Sequence, residues 1–246
     1  MSTAIPAARR TPDISPQRYA RIGGALYLFI IVAGIFGELF VRNGLIVSGD
    51  ATATAHNIAG SQLLWRAGIA GDLLMHVCDI PLLLIFYVLM RPVNRNLALL
   101  VVLFDMTQSA VLIASKLSLL MPLFLASGAP YLAALEPRQL DALSYLFIRS
   151  DAYGFGVGLI YFGCGCLVLG HLIARSGFLP KILGRLMQIA GACYLVNSFA
   201  LILAPALANL LFPAILIPAF IGETSLCLWL LIKGVDVPKW KALDGA

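Results

Sequence analysis

The sequence predicts an all-α, polytopic membrane protein with about six transmembrane helices, both termini on the cytoplasmic side, and short helices lying at the outer interface. Three observations carry this. Apolar runs of about 20 residues recur along the chain, the length needed to cross a hydrocarbon core of ~30 Å. Hydrophobic residues make up 61% of the 246 positions and the mean hydropathy is +0.93, more than a soluble domain of this size uses. Basic residues also segregate when the runs are laid out as alternating crossings. Arg9, Arg10, Arg18, Arg21, Arg91, Arg95, Arg175, Lys181, Arg185, Lys233, Lys239 and Lys241 fall on one side, and Arg42, Arg66, Arg138 and Arg149 on the other. Twelve against four places both termini in the cytoplasm.

Taken in order, the first apolar run gives a span at 22–41, long enough to stay in the membrane as a helix and lacking the small-residue site of a cleaved leader. Ser48-Gly49-Asp50 then opens a stretch whose Ala55, Ile58, Ala59, Leu63 and Trp65 predict a short outer interfacial helix, with Trp65 as its anchor. Spans at 68–90 and 97–121 follow. Between Pro130 and Ser150, Glu136-Pro137 reads as a helix start, and Leu140, Leu143, Leu146 and Phe147 continue at helical spacing; this second outer helix precedes a span at 151–174. The two outer helices either cap an outward cavity or seal the end of the bundle. Spans at 184–204 and 210–232 complete the set, parted by a tight Pro205 to Asn209 connection. Residues 1–20 and 235–246 are cytoplasmic tails, and 21–234 form a single transmembrane domain. Cys78, Cys164, Cys166, Cys193 and Cys227 all lie within spans, which argues for packing and against a disulfide framework.

Charged residues inside hydrocarbon mark functional positions, because each is expensive to keep there. In the second span Asp72, His76 and Asp79 sit at i, i+4 and i+7, stacked on one side of the helix. Such a stripe can ligate a divalent cation, relay a proton, or hold a buried histidine between two carboxylates. Metal has the weakest support, since His56 and His171 belong to other depths. Pro81 leaves the Val77 carbonyl without its helical partner and predicts a widened or kinked helix beside the stripe.

The third span carries Asp105, Gln108 and Ser109 at its middle and Lys116 in its outer part. An ion pair from Lys116 to Asp72, or to Glu38 at the outer end of the first span, would keep the lysine charged. Asp105 lies nearer the level of Asp79 and Glu223, and three carboxylates at low dielectric require protons or a cation among them. Asp151 is either a helix cap or part of an outer gate with Tyr153 and Tyr161. Glycines at 156, 163 and 170, and at 158 and 165, give the fourth span two small-residue faces, for close helix packing or a smooth pore wall.

A short internal likeness joins Gly24-Ala25-Leu26-Tyr27-Leu28 in the first span to Gly191-Ala192-Cys193-Tyr194-Leu195 in the fifth. Each is followed by a span with a mid-membrane acid ahead of a basic end, Asp79 before Arg91 and Glu223 before Lys233. A parallel repeat of this kind would set Asp79 and Glu223 at similar depth.

The runs YARIGGALYLFIIVAGIFGELFVR, GDLLMHVCDIPLLLIFYVLMRPVNRNLALL, DAYGFGVGLIYFG and RSGFLPKILG resemble, in that order, the bacterial integral membrane family known as domain of unknown function 4386. Asp72, Asp79, Arg91, Pro92, Asn94, Arg95, Asp151, Tyr153 and Gly177 match what is characteristic of it; His76 is less typical. The resemblance implies a small multi-pass protein of the bacterial inner membrane and supplies no catalytic residue.

The net charge of +5 therefore reads as a topology signal, not as a nucleic-acid surface. The favoured function is a small transporter or permease-like protein that binds a proton or a cationic solute at Asp72, Asp79, Asp105 and Glu223, with His76, Lys116, Asp151 and Glu38 around them. No cofactor is predicted. Alternatives are an intramembrane metal-assisted lipid hydrolase with Asp72, His76 and Asp79 as ligands, which lacks any HExxH or GxSxG signature, and a membrane sensor for a lipid or small ligand. Expected partners are membrane lipids, a small ligand or ion, and a second copy packed through the glycine faces.

Overall fold

The computed structural model describes residues 15–245. Residues 1–14, which include Arg9 and Arg10 of the orientation argument and most of the predicted first tail, lie outside the described residues, as does Ala246.

Lipid offers the backbone no hydrogen-bond partners, so each apolar run must satisfy its own peptide groups as a helix. Among the described residues, six helices are long and apolar enough to cross a membrane. They are α1 (Pro16–Ile35), continued by a π-helical turn Phe36–Arg42 and α2 (Asn43–Leu45); α4 (Gln62–Met90); α5 (Arg95–Leu125); α6 (Pro137–Ser176); α7 (Lys181–Leu203); and α9 (Ile217–Ile232), entered through a 3-10 turn Ala214–Leu216. Shorter helices are α3 (Ala51–Gly60), α8 (Pro205–Leu211) and α10 (Val237–Asp244). Local chemistry marks the ends. Ser15 caps α1, Asn94 caps α5, Glu136 and Gln139 form a reciprocal capping box on α6, and α6 stops at Gly177, whose φ of 70° suits a residue without a Cβ.

Packing follows the chain: α1 on α4, α4 on α5, α5 on α6, α6 on α7, α7 on α9, and α9 back on α1. The six spans close into a ring. Glycines set its tightest seams. A Cβ on Gly191 would lie 2.6 Å from the Gly163 carbonyl oxygen, and one on Gly170 would lie 2.5 Å from that of Gly184, so α6 and α7 touch backbone to backbone. Gly158 meets Leu112 of α5, and Gly165 meets Asp105 and Phe104 of α5. Both glycine faces of α6 are therefore used within the chain, and they give no support to a dimer.

Along the ring the contents are layered. Toward the end that carries Arg91 and Lys233, here called the basic end, lies an apolar cluster that includes Leu89, Val101, Ile173, Met187, Leu226 and Trp240. Toward the far end lies a second, with Val41, Trp65, Ile69, Leu119, Leu123 and Ile148. Asp72, His76, Asp79, Asp105, Lys116 and Asp151 fall between the two along their helices.

Several expectations are corrected. The outer helix at Glu136 and the span at 151–174 are one 40-residue helix, because Ser144, Ile148 and Asp151 share a buried face that carries the helix across the presumed break. Trp65 is no interfacial anchor: it belongs to α4, is 1% exposed, and donates its indole N–H to the Leu119 carbonyl at 2.8 Å. α4 stays α-helical through Pro81, and the departure from α geometry falls instead at Phe36–Arg42. The connection after the fifth span is itself helical. Residues 237–244 do not trail as a tail: Trp240 is buried and donates to the Leu89 carbonyl at 2.9 Å, which docks α10 on the basic end.

Two predictions follow from this packing. Gly191→Leu forces α6 and α7 apart and lowers stability by about 1–3 kcal/mol, the usual penalty of overpacking, measurable as a fall in unfolding temperature in detergent. At the start of α10 the Lys239 side chain, with help from its backbone N–H, holds the Asp236 carboxyl below its ordinary range. A depressed value contributes stability above the unfolded carboxyl value of about 3.9 and loses it as pH falls through the folded one. Acid titration followed by tryptophan fluorescence should therefore show α10 loosening as the Asp236 carboxyl is protonated, and an Asp236→Ala chain, which lacks both the cap and the ion pair, should lack that pH-dependent step.

Candidate functional site: two polar layers inside the helix ring

The first layer sits toward the far end and is an ion-pair network. Asp72 of α4 is 1% exposed. It receives Arg42 Nη1 at 2.7 Å on Oδ2, with Lys116 Nζ of α5 at 3.5 Å from the same oxygen. Lys116, 4% exposed, also donates to both carboxylate oxygens of Asp151 at 3.1 and 3.2 Å, and Ser115 Oγ donates to Asp151 Oδ1 at 2.9 Å. Arg42 Nε reaches Glu38 Oε2 at 2.7 Å. The partly buried Arg42 and the buried Lys116 balance the two buried carboxylates, Asp72 and Asp151; Glu38 is half exposed at the rim. Gly37 gives the space, since a Cβ there would lie 2.7 Å from Asp72 Oδ1. The π turn aims Arg42 inward at this point.

One turn nearer the basic end lies the second layer, and its charge does not balance. His76 Nδ1 lies 2.9 Å from Asp79 Oδ2, which also accepts from Ser109 Oγ at 3.2 Å. Glu223 of α9 accepts from two tyrosine hydroxyls, Tyr27 of α1 at 3.0 Å on Oε2 and Tyr194 of α7 on Oε1. Asp105 of α5 is 7% exposed, and its Oδ1 has no hydrogen-bond partner. Asp79, Asp105 and Glu223 lie within electrostatic reach of one another. His76 Nε2 is likewise buried without a partner. The layer holds three carboxyl groups and one imidazole; Lys116, the buried cation among the described residues, and the partly buried Arg42 belong to the other layer.

Helix contacts explain how Glu223 meets both tyrosines. Gly24 lets α1 press on the backbone of α9 at Leu231, and Tyr27 follows one turn on. Gly222 brings α9 within 2.9 Å, Cβ to carbonyl, of Leu186 on α7, which presents Tyr194 to the neighbouring Glu223. The two copies of the Gly-Ala-X-Tyr-Leu repeat thus converge on a single carboxyl group.

Sequence reasoning placed these residues unevenly. Lys116 does pair with Asp72, but Glu38 pairs with Arg42 and not with Lys116, because the π turn keeps both on one side at i, i+4. The Asp72, His76 and Asp79 stripe divides: Asp72 turns to Arg42 and Lys116, while His76 turns to Asp79. The proposed divalent site is not assembled, and among the described residues no three His, Cys, Asp or Glu side chains converge to hold a metal ion. Asp151 is neither a cap nor a rim group; it lies inside α6, 5% exposed, beneath Lys116. Tyr153 and Tyr161 face outward, Tyr153 with the Arg149 guanidinium 5.9 Å from its ring centroid. Arg42, Tyr27, Tyr194, Ser109 and Ser115 went unassigned as site groups. The repeat was the signal that marked both tyrosines, and the i, i+4 spacing to Glu38 marked Arg42.

This fold and these layers define a polytopic α-helical membrane protein with a carboxyl-rich centre. A family model described as Domain of unknown function (DUF4386) matches residues 22–234, and the chain belongs to that family. An uncharacterized protein of Archaeoglobus fulgidus is 26% identical over 166 residues, covering 68% of this chain and 83% of its own. No solved structure matches the chain.

Removing one partner from a buried ion pair strands the other, at about 3–5 kcal/mol. Lys116→Met should lower the unfolding temperature in detergent accordingly, and Lys116→Met combined with Asp151→Leu should recover part of the loss. A double substitution as unstable as the single one would mean that Asp151 is held by other groups.

Proposed function

We propose that this protein is a small multi-pass transporter or permease-like protein of the bacterial inner membrane, and that it binds a proton or a cationic solute at Asp79, Asp105 and Glu223. One observation carries the reading: three carboxyl groups lie within electrostatic reach of one another inside a ring of apolar helices, and among the described residues no lysine or arginine pairs with them. Full ionisation would leave that layer strongly negative at low dielectric, so a proton or a cation is the natural occupant. Ser109, Tyr27 and Tyr194 position the acceptors, and the free Nε2 of His76 offers a neighbouring proton site. The balanced network of Arg42, Asp72, Lys116 and Asp151 acts on this reading as the closure between the binding layer and the far end. Apolar clusters on both sides of the polar layers fit a site reached from one side at a time.

The test is uptake by vesicles holding the purified protein, with an imposed pH gradient and a panel of alkali cations and small amines. The parent chain should take up at least one of them in a gradient-dependent way, and Asp79→Asn or Glu223→Gln should reduce that flux to the level of empty vesicles. Flux that survives both substitutions would remove these carboxyl groups from the mechanism.

A further inference from the structure

At the basic end, outside the polar layers, α4 turns into α5 through Arg91-Pro92-Val93-Asn94-Arg95. A cavity of about 450 Å³ opens there, walled by Tyr87, Arg91, Pro92, Arg95, Leu243 and Asp244. That volume lies within the ~300–1,000 Å³ of small-ligand sites. The transport reading uses none of these residues.

The cavity carries a net positive charge, two arginines against one aspartate. Arg95 is the first residue of α5, a 31-residue helix with no acidic residue in its first turn, so a guanidinium stands beside the positive end of a long helix dipole. Like charge is gathered here, and an anion would relieve it. Tyr87 lies one turn before Arg91, on the same side, and adds a hydroxyl donor. The acid within the wall is Asp244, carried by the docked α10. Its Oδ1 is 3.8 Å from Arg91 Nη2, with both side chains over a third exposed, a pair of little strength that a better anion can displace. Arg91 directly follows Met90, the last residue of the apolar helix α4, the position at which basic residues flank a span. Pro92 and Leu243 give the cavity apolar walls beside the charges.

We propose that this cavity is a binding site for a phosphate ester of net negative charge, gripped by Arg91 and Arg95 with Tyr87, and gated by Asp244 of α10. Its chemistry fits the headgroup of an anionic phospholipid from the adjoining leaflet and equally a soluble phosphate ester. Arginine suits this role because its planar fork of donors matches phosphate oxygens in pairs.

The full chain in detergent micelles would be titrated separately with phosphatidylglycerol, phosphatidylcholine and glycerol 3-phosphate, and its unfolding temperature followed. Phosphatidylglycerol should raise that temperature with saturation, and phosphatidylcholine should not. Arg91→Gln and Arg95→Gln should each weaken the half-saturation point about fivefold, as expected of one basic side chain near an anionic surface. Asp244→Asn should strengthen it, while Lys181→Gln, a substitution at an exposed basic residue on the same end, should leave it unchanged. Saturation by glycerol 3-phosphate, with the same dependence on Arg91 and Arg95, would support the site and identify its ligand as the soluble ester. The absence of a shift with either phosphate, or an equal loss in Lys181→Gln, would overturn it.

Discussion

A charged group surrounded by hydrocarbon has no solvent to stabilise it, so whatever compensates it must come from the chain itself or from a bound partner. That constraint sorts the interior of this protein into two kinds of layer. Where Arg42 and Lys116 meet Asp72 and Asp151, compensation is internal and complete, and the result is a cross-brace joining the first four spans. Where Asp79, Asp105 and Glu223 meet, the described residues supply hydroxyls and one imidazole but no lysine or arginine. The first arrangement is self-sufficient; on the proposed reading the second takes up a proton or a cation.

Most of the fold was legible because lipid makes strong demands on sequence. Six runs of the right length, Pro at helix starts and Gly177 at a helix stop identify the spans with little dependence on tertiary contacts. Failures came where a local signal competed with packing. The Glu136-Pro137 start and the aspartate at 151 each look like the beginning of a helix, yet a continuous buried face carries one helix through both. Trp65 has the composition of an interfacial anchor, but the α4 helix begins earlier than its apolar run and draws it into the core.

The site was half legible. Residue types and depths were readable, since α4 and α5 order their polar groups along the bundle axis just as the sequence does. Partner choice was not. Asp72 and His76 share a helix side, but which neighbour each prefers depends on what α1 and α6 place opposite, and the π turn that directs Arg42 leaves no proline or glycine pair to announce it. The five-residue likeness between the first and fifth spans was more informative than its length implied, because both of its tyrosines close on one glutamate of the last span.

The ring closure has a consequence for biogenesis. The second to fifth spans can each pack on their predecessor as they leave the ribosome, but the seam between α1 and α9 joins the first span to the last. Tyr27 therefore waits for Glu223 through the synthesis of nearly the whole chain, and the Asp79 and Asp105 carboxyl groups face an open groove until then. The carboxyl centre is completed only by the final crossing, so a nascent chain released before α9 holds the acids without the enclosure that gives them their chemistry.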